Sequence, residues 1–278
     1  MIVTPFCKIN LGLNVVGVRP DGYHDIESVF LPVGLSDVLE IALPDGDGEG
    51  VALSCSGNKI DVPPEKNICV KALNALRQVA HVPFVAMHLN KVIPDGAGLG
   101  GGSSDAAFVI KTLNDMLGLG LPSHILRGVA AKVGADCPFF IDGRPTFVSG
   151  IGDVFSEVDT SALRGVNIVI VVPQGAVSTA EAYANMDVGR PAVGLKDAIR
   201  HDVKEWKDLI SNDFEPYAIK MIPDIALIKQ RLYDHGAVYA QMSGSGSSVF
   251  GFFLSDSGMP TEYDFPNARC FWRGKFDF

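Results

Sequence analysis

The chain has 278 residues, 47% of them hydrophobic and 20% charged, with a net charge of −9 and a pI near 5.1. That length suggests about two domains or one large one, the apolar content is enough for a real core, and disorder is not expected. An acidic balance with no long basic run lacks the electrostatic footprint of a nucleic-acid binder, and no apolar run approaches the roughly 18 residues of a membrane span.

The N-terminus, M-I-V-T-P-F-C-K, has no basic region followed by an apolar core, so no signal peptide is expected. The five cysteines, Cys7, Cys55, Cys69, Cys137 and Cys270, have neither C-x-x-C nor zinc-finger spacing. An odd, scattered set points to reduced thiols and a cytoplasmic setting.

Along the chain, Ile9, Leu11, Leu13 and Val15 alternate with Lys8, Asn10, Gly12 and Asn14, which predicts a strand with one apolar and one polar face. R-P-D-G-Y-H (19–24) carries turn chemistry. Strands are expected at 25–33, 37–43 and 51–56, with a turn at 44–50. Residues 67–80 read as a helix with Val70, Leu73 and Leu76 on one face, and 84–92 as a strand. The glycine-rich stretch I-P-D-G-A-G-L-G-G-G-S-S-D-A-A (93–107) follows. A helix is expected from an N-capping Ser104, with Val109, Leu113, Met116 and Leu117 at helical spacing and a stop at Gly118. Another short helix is expected at 123–133.

S-G-I-G-D (149–153) is a plausible boundary, dividing the chain into domains 1–152 and 153–278. Beyond it V-N-I-V-I-V-V-P (166–173) reads as a strand covered on both faces. Helices are expected near 179–186, 195–200, 203–211 and 224–235, the last running from Pro223 to Gly236. S-G-S-G-S-S (243–248) then leads into V-F-G-F-F. Strands followed by helices in each half predict two α+β domains. The segment 254–278 is read as an edge strand or a packing tail, with no function assigned.

Three readings compete for the glycine stretch. Gly96-Ala97-Gly98-Leu99-Gly100-Gly101 satisfies G-x-G-x-x-G, but the acidic residue of a dinucleotide site is missing about 20 residues on, where Leu121 stands. A Walker A loop needs a Lys after its last Gly, and here Ser103 and Ser104 follow Gly102. The third reading keeps only the physics: glycines let backbone N–H groups approach an anion, a helix starts behind them, and serine hydroxyls add donors. A tight turn packed on its own helix is the bland alternative.

P-D-G-A-G-L-G-G-G-S-S-D-A-A resembles the phosphate loop of the GHMP kinases. Other segments follow in that family's order: K-I-N-L-G-L (8–13), R-P-D-G-Y-H (19–24), G-A-D-C-P-F-F (134–140), S-N-D-F-E (211–215) and M-S-G-S-G-S-S-V-F-G (242–251). The similarity runs from about residue 5 to about 253. R-P-D-G-Y-H and the triple glycine point to a branch acting on a cytidyl diphosphate sugar alcohol.

The resemblance implies a two-domain fold, with an N-terminal ribosomal-protein-S5-like domain and a C-terminal ferredoxin-like α/β-sandwich domain. The active site would lie in the cleft between them. ATP and Mg²⁺ are the implied cofactors, with no protein ligand matched to the metal, and the chain is expected to be a monomer or homodimer. Pro94, Asp95, Gly96, Ala97, Gly98, Leu99, Gly100, Gly101, Gly102, Ser103 and Ser104 would form the phosphate loop, with Asn67 and Lys91 near the adenosine.

Asp136 matches the family's catalytic aspartate, a carboxylate that can accept the substrate hydroxyl's proton. Its bland reading is an Asp capping a turn before Cys137-Pro138. Lys8 matches the catalytic lysine and would stabilise phosphoryl charge or hold Asp136 ionised. Its bland reading is a solvent-facing strand lysine. Asn10 would orient Lys8 or the substrate. Tyr23 would stack on cytosine and His24 hydrogen-bond the base. Tyr183 would be a second aromatic there, with half-buried packing as the alternative. Ser243 and Gly244 would approach the substrate diphosphate.

Overall fold

The computed structural model describes residues 1–44, 48, 50–60, 62–186 and 193–276. In chain order the elements are β1 (Ile2–Val3), β2 (Phe6–Val18), β3 (His24–Ser36), β4 (Val38–Ala42), β5 (Val51–Gly57), α1 (Ile68–Arg77), β6 (Val85–Lys91) and α2 (Gly101–Met116). Then come α3 (Ser123–Ala131), α4 (Cys137–Asp142), β7 (Thr146–Ser149), β8 (Val154–Ser156), β9 (Asn167–Val172), α5 (Thr179–Ala184), α6 (Leu195–Ala198) and α7 (Trp206–Leu209). The chain closes with α8 (Glu215–Met221), α9 (Asp224–Asp234), β10 (Tyr239–Met242), β11 (Val249–Phe253) and β12 (Cys270–Lys275). Much of the turn expected at 44–50 lies outside the described residues, and all five cysteines are free thiols.

These elements gather into two compact units that interleave in sequence. The first comprises Met1–Cys7, Gly34–Asp95 and Gly100–Arg144; the second comprises Lys8–Val33, Gly96–Leu99 and Pro145–Phe278. The long strands β2 and β3 therefore contribute to both. The expected division at 152/153 is one of sequence, whereas in space residues 8–33 group with residues beyond 144.

In the first unit a four-stranded sheet has the order β1-β4-β6-β5. Leu39 and Ile41 of β4, and Met87 and Leu89 of β6, turn inward, while Glu40 and Ala42 face out, as period-two alternation requires. β5 and β6 pair in parallel. A parallel neighbour needs a crossover, and residues 58–84, which include α1, supply it. α1 buries Cys69, Val70, Ala72, Leu73 and Leu76. α2 starts at Gly101, not at Ser104 as expected: Gly100 is the N-cap with φ 69°, and Ser104 lies inside the helix, buried, its N–H donating to Gly100 O at 2.9 Å. Packing overrides glycine's poor helix propensity here. A Cβ on Gly101 would stand 2.8 Å from Ile93 Cγ2.

In the second unit one sheet has the order β2-β3-β7-β8 and another the order β10-β11-β9-β12. In the latter, β9, β10 and β11 are buried throughout, as the continuous apolar run of β9 predicted. One face packs on α9 through Val169, Val171, Ile225, Leu232, Ala240 and Met242. The aromatic cluster Trp206, Tyr239, Phe250, Phe252 and Phe276 is also buried. β12 pairs with β9 at the sheet edge, which realises the edge-strand reading of the C-terminal segment.

Two short helices were not foreseen, α4 and α8. Each carries a proline in its first turn, which is the start signal, but is too short to show a period. The helix expected at 203–211 begins as a 3₁₀ turn, Val203–Glu205, because Asp202 caps Lys204 N. The polar face expected on β2 is not solvated: Lys8, Asn10 and Asn14 are all buried.

The core of the second unit yields a stability contrast. Leu232→Ala in α9, fully buried, is expected to destabilise by about 2–5 kcal/mol. Leu227→Ala on the same helix, 59% exposed, should cost less than about 0.5 kcal/mol. Urea unfolding of the two variants measures the difference.

Candidate active site

The first half of the glycine loop, Gly96–Leu99, belongs to the second unit. Gly96 and Gly98 have φ of 64° and 76°, which glycine alone adopts at no steric cost. A Cβ at Gly98 would lie 2.0 Å from the Ser243 carbonyl oxygen, so no side chain fits. Three successive carbonyls are tied down: Ala97 O accepts from Ser248 N (3.1 Å), Gly98 O from Ser243 Oγ (2.9 Å) and Leu99 O from Lys8 N (2.9 Å). Oxygens that would repel a phosphate are thereby engaged by protein donors.

The second glycine turn, 243–246, is itself held. Asn212 Nδ2 donates to Met242 O (2.9 Å) and Gly244 O (2.8 Å), while its Oδ1 accepts from Phe214 N (3.0 Å). Glu215 accepts from Met242 N at 3.0 Å and from Lys229. Ser243 is fully buried, with its hydroxyl accepting from Asn10 N (3.0 Å) while donating to Gly98. It therefore joins strand and loop, and its hydroxyl is committed to backbone. A Cβ on Gly244 would meet Asn10 Oδ1 at 3.2 Å. Asn212 and Glu215 had no role assigned from the sequence. Their signal was the polar S-N-D-F-E stretch between apolar segments.

On β2, Lys8 Nζ donates to Asn10 Oδ1 and lies over the Phe30 ring, 4.5 Å from its centroid. Asn10 Nδ2 donates to Ser28 Oγ (2.9 Å), which in turn donates to Gly12 O (2.7 Å). Lys8 is 4% exposed, so the solvent-facing reading of this lysine is excluded. A buried ammonium demands partners, and Asn10 is one. The sequence pairing of Lys8 with Asn10 on one strand face is thus realised as a direct contact.

At the β2–β3 turn, Gly22 N donates to Arg19 O (3.0 Å) and Tyr23 N to Asp21 Oδ1 (3.1 Å). Tyr23 is 59% exposed. His24 stacks on Tyr183, with ring centroids 4.8 Å apart and 28° between planes. Tyr183 meets Phe214 edge-on at 4.8 Å. Residues 159 positions apart in the chain are therefore neighbours, and Tyr183 both packs and presents a ring beside His24.

The second half of the loop, from Gly100 on, belongs to the first unit. The first N–H groups of α2 have no intrahelical acceptor, and the helix dipole makes that end positive. Ser103 hydrogen-bonds the Cys137 thiol, and burial pushes that thiol up to about 11. Cys137 follows Asp136, so the loop serine and the candidate base are adjacent within one unit. Asp136 occupies the N-cap position of α4, yet its side chain makes no cap hydrogen bond, so the capping alternative is not what the structure contains.

Asn67 caps α1 by accepting from Cys69 N at 2.9 Å. It also lines a cavity with Cys55, Ser56, Gly57, Asn58 and Ile60. Lys91 is placed differently. Its ammonium is buried between Asp37 (2.5 Å) and Asp105 (2.9 Å), and it does not line that cavity. A contact with adenosine through this group is not what the geometry provides. Burial opposes the charge on Lys91, but the two carboxylates outweigh it and raise its pKa.

The chain matches the GHMP kinases N-terminal domain over residues 67–144 and the GHMP kinases C-terminal domain over 195–275. It is 48% identical over 271 residues to the 4-diphosphocytidyl-2-C-methyl-D-erythritol kinase of Bacteroides fragilis strain YCH46, covering 98% of each chain. It is 47% identical over 276 residues to the kinase of the same name from Parabacteroides distasonis, covering 99% of each. A crystal structure of 4-(cytidine 5'-diphospho)-2C-methyl-D-erythritol kinase superposes with a TM-score of 0.81 at 29% identity, covering 99% of this chain and 98% of that one. Homoserine kinase from Cytophaga hutchinsonii shares the fold, with a TM-score of 0.67 at 18% identity over 97% and 94% of the two chains. With the glycine loop, the buried Lys8–Asn10 pair and the Ser103–Cys137 contact beside Asp136 in the family's order, the chain belongs to the GHMP kinases, in the family of the 4-diphosphocytidyl-2-C-methyl-D-erythritol kinases.

Proposed function

We propose that this chain transfers the γ-phosphoryl group of ATP to the 2-hydroxyl of 4-diphosphocytidyl-2-C-methyl-D-erythritol. The products are the 2-phosphate and ADP, a step of the non-mevalonate route to isoprenoid precursors, carried out in the cytoplasm. The observation that carries the reading is the packing of Ser103, in the first turn behind the glycine loop, on the residue next to Asp136. A phosphate held by the loop would therefore lie close to a carboxylate that is not engaged as a helix cap. The reading keeps 1–152 and 153–278 as the N- and C-terminal kinase domains in sequence.

Phosphoryl transfer to an alcohol requires positioning, charge compensation and a proton acceptor. The backbone N–H groups of Gly98 to Ser103 bind the phosphates, helped by the dipole of α2. Asp136 accepts the hydroxyl proton as the oxygen–phosphorus bond forms. Lys8, oriented by Asn10, stabilises the negative charge that develops on the transferring oxygens. Asn67 reaches the nucleoside. Tyr23 and Tyr183 supply faces for cytosine, and His24 supplies a ring nitrogen for the base edge. Ser243 and Gly244 act by shaping the backbone near the substrate diphosphate.

Among the described residues no cluster of three or more His, Cys, Asp or Glu could hold a metal ion. Mg²⁺ would come bound to the ATP phosphates, and no residue is assigned to it. Its chemistry when bound is neutralisation of the β- and γ-phosphate charge.

Purified protein with MgATP should release ADP with 4-diphosphocytidyl-2-C-methyl-D-erythritol and not with homoserine or mevalonate. Asp136→Ala should lower kcat by about 10²–10⁴-fold, with MgATP binding retained in calorimetry. Turnover with another alcohol would keep the kinase and remove the cytosine roles of Tyr23 and His24. Base stacking is worth about 1–3 kcal/mol, so Tyr23→Ala should raise KM for the cytidyl substrate by about 5- to 150-fold. Steady-state kinetics should show KM for ATP unmoved, and a thermal melt should show stability unmoved because Tyr23 is largely exposed.

A further inference from the structure

We propose that Asp105, through Lys91 and Asp37, is a positioning residue that clasps the two ends of the phosphate loop and ties nucleotide affinity to the clasp's net charge. The inference rests on the nucleotide reading of the glycine loop given above.

The clasp lies wholly in the first unit. Asp37 precedes β4, and its Oδ1 accepts from Val92 N (2.6 Å) and Ile93 N (2.8 Å), the two residues that lead into the loop. Its Oδ2 accepts from Lys91 Nζ at 2.5 Å. The same ammonium donates at 2.9 Å to Oδ2 of Asp105, the fifth residue of α2, the helix that follows the loop. A Cβ on Gly101 would stand 3.1 Å from Lys91 Nζ, so the ammonium sits directly beneath the loop's exit. The chain thus enters and leaves the anion site through one buried group of three side chains.

Two carboxylates against one ammonium leave a buried charge of −1 if both are ionised, an unfavourable charge to hold in a low dielectric. Asp105 Oδ1 is buried with no hydrogen-bond partner. Asp105 also lies within hydrogen-bonding range of Asp37, a contact that only a shared proton makes attractive. Burial, and then Asp37, push its pKa up to about 8, against the opposing pull of Lys91. The other titratable groups that face it are the thiols of Cys69 on α1 and Cys55 on β5, both raised mainly by burial.

The sign follows. The folded-state pKa lies above the ordinary carboxylate value, so the stability contributed by protonated Asp105 is full below that ordinary value. It is lost as pH rises toward about 8. Through pH 8 the carboxyl ionises, and a negative charge appears beneath an anion-binding loop. One unit charge at about 8 Å in a medium of dielectric about 40 weakens the affinity for nucleotide phosphate by about fivefold.

The test is the Kd of MgATP, by calorimetry from about pH 6.5 to 9 around the expected transition, for wild type, Asp105→Asn and Asp105→Ala. The amide keeps an oxygen for Lys91 and a donor for Asp37 but cannot ionise. Wild-type Kd should rise about fivefold through pH 8, while Asp105→Asn should hold a single Kd across the range. Asp105→Ala, which releases the α2 end of the clasp, should bind about tenfold more weakly at every pH. If it does not fold, the comparison of Asp105→Asn with wild type decides alone. A wild-type Kd that is flat, or that rises in parallel with Asp105→Asn, overturns the clasp and leaves the nucleotide reading standing. Failure of wild type to bind MgATP at any pH overturns both.

Discussion

The approach of two backbones at Gly98 and Ser243 governs much of the second unit. A Cβ at Gly98 would be 2.0 Å from the Ser243 carbonyl oxygen, and only glycine permits that separation. Once the two glycine turns are this close, the Ser243 hydroxyl reaches Gly98 O on one side and Asn10 N on the other. Asn10 is then fixed at a place where its side chain meets Lys8 and Ser28. The chain of contacts runs from a missing side chain to an oriented ammonium.

Burial explains why so many polar residues are needed for this. Lys8, Asn10, Ser28, Asn212, Gln241 and Ser243 are all buried, and unsatisfied polar groups are costly in such surroundings. For Ser28, Asn212, Gln241 and Ser243 the partners are largely backbone. Gln241 accepts from Gly12 N (2.8 Å), Asp213 from Val15 N (2.7 Å), and Asn212 grips the second glycine turn from behind. Side chains that bond backbone fix the path of the chain, which is what a loop that must present N–H groups requires. The same logic operates in the first unit, where Asp37 accepts two successive backbone N–H groups at the start of the loop.

The alternation of β2 was legible from residue types, because a strand's side chains point to opposite faces. The glycine loop was legible as a candidate anion site because glycines before a helix let backbone N–H groups approach an anion. β9 showed itself covered by its unbroken apolar run. The N-cap of α2 was misplaced by four residues, because an N-cap serine is the stronger local signal and the fit of Gly101 against Ile93 is not local. Lys91 was read as a nucleotide contact from its position beside the loop. Its two carboxylate partners come from β4's leading residue and from α2, which no spacing rule links to it.

The sequence by itself determined the α+β character, the glycine-rich loop ahead of a helix, and the residue types on offer around it. Each of these depends on neighbours close in the chain, where geometry follows from backbone period and turn chemistry. Tertiary structure alone decided that the polar face of β2 is buried, that His24 stacks on Tyr183, that Ser103 lies on the residue next to Asp136, and that Lys91 is held between two aspartates. These are meetings of segments far apart in sequence, and burial, which turns a polar side chain from solvated to committed, exists only once those segments have packed.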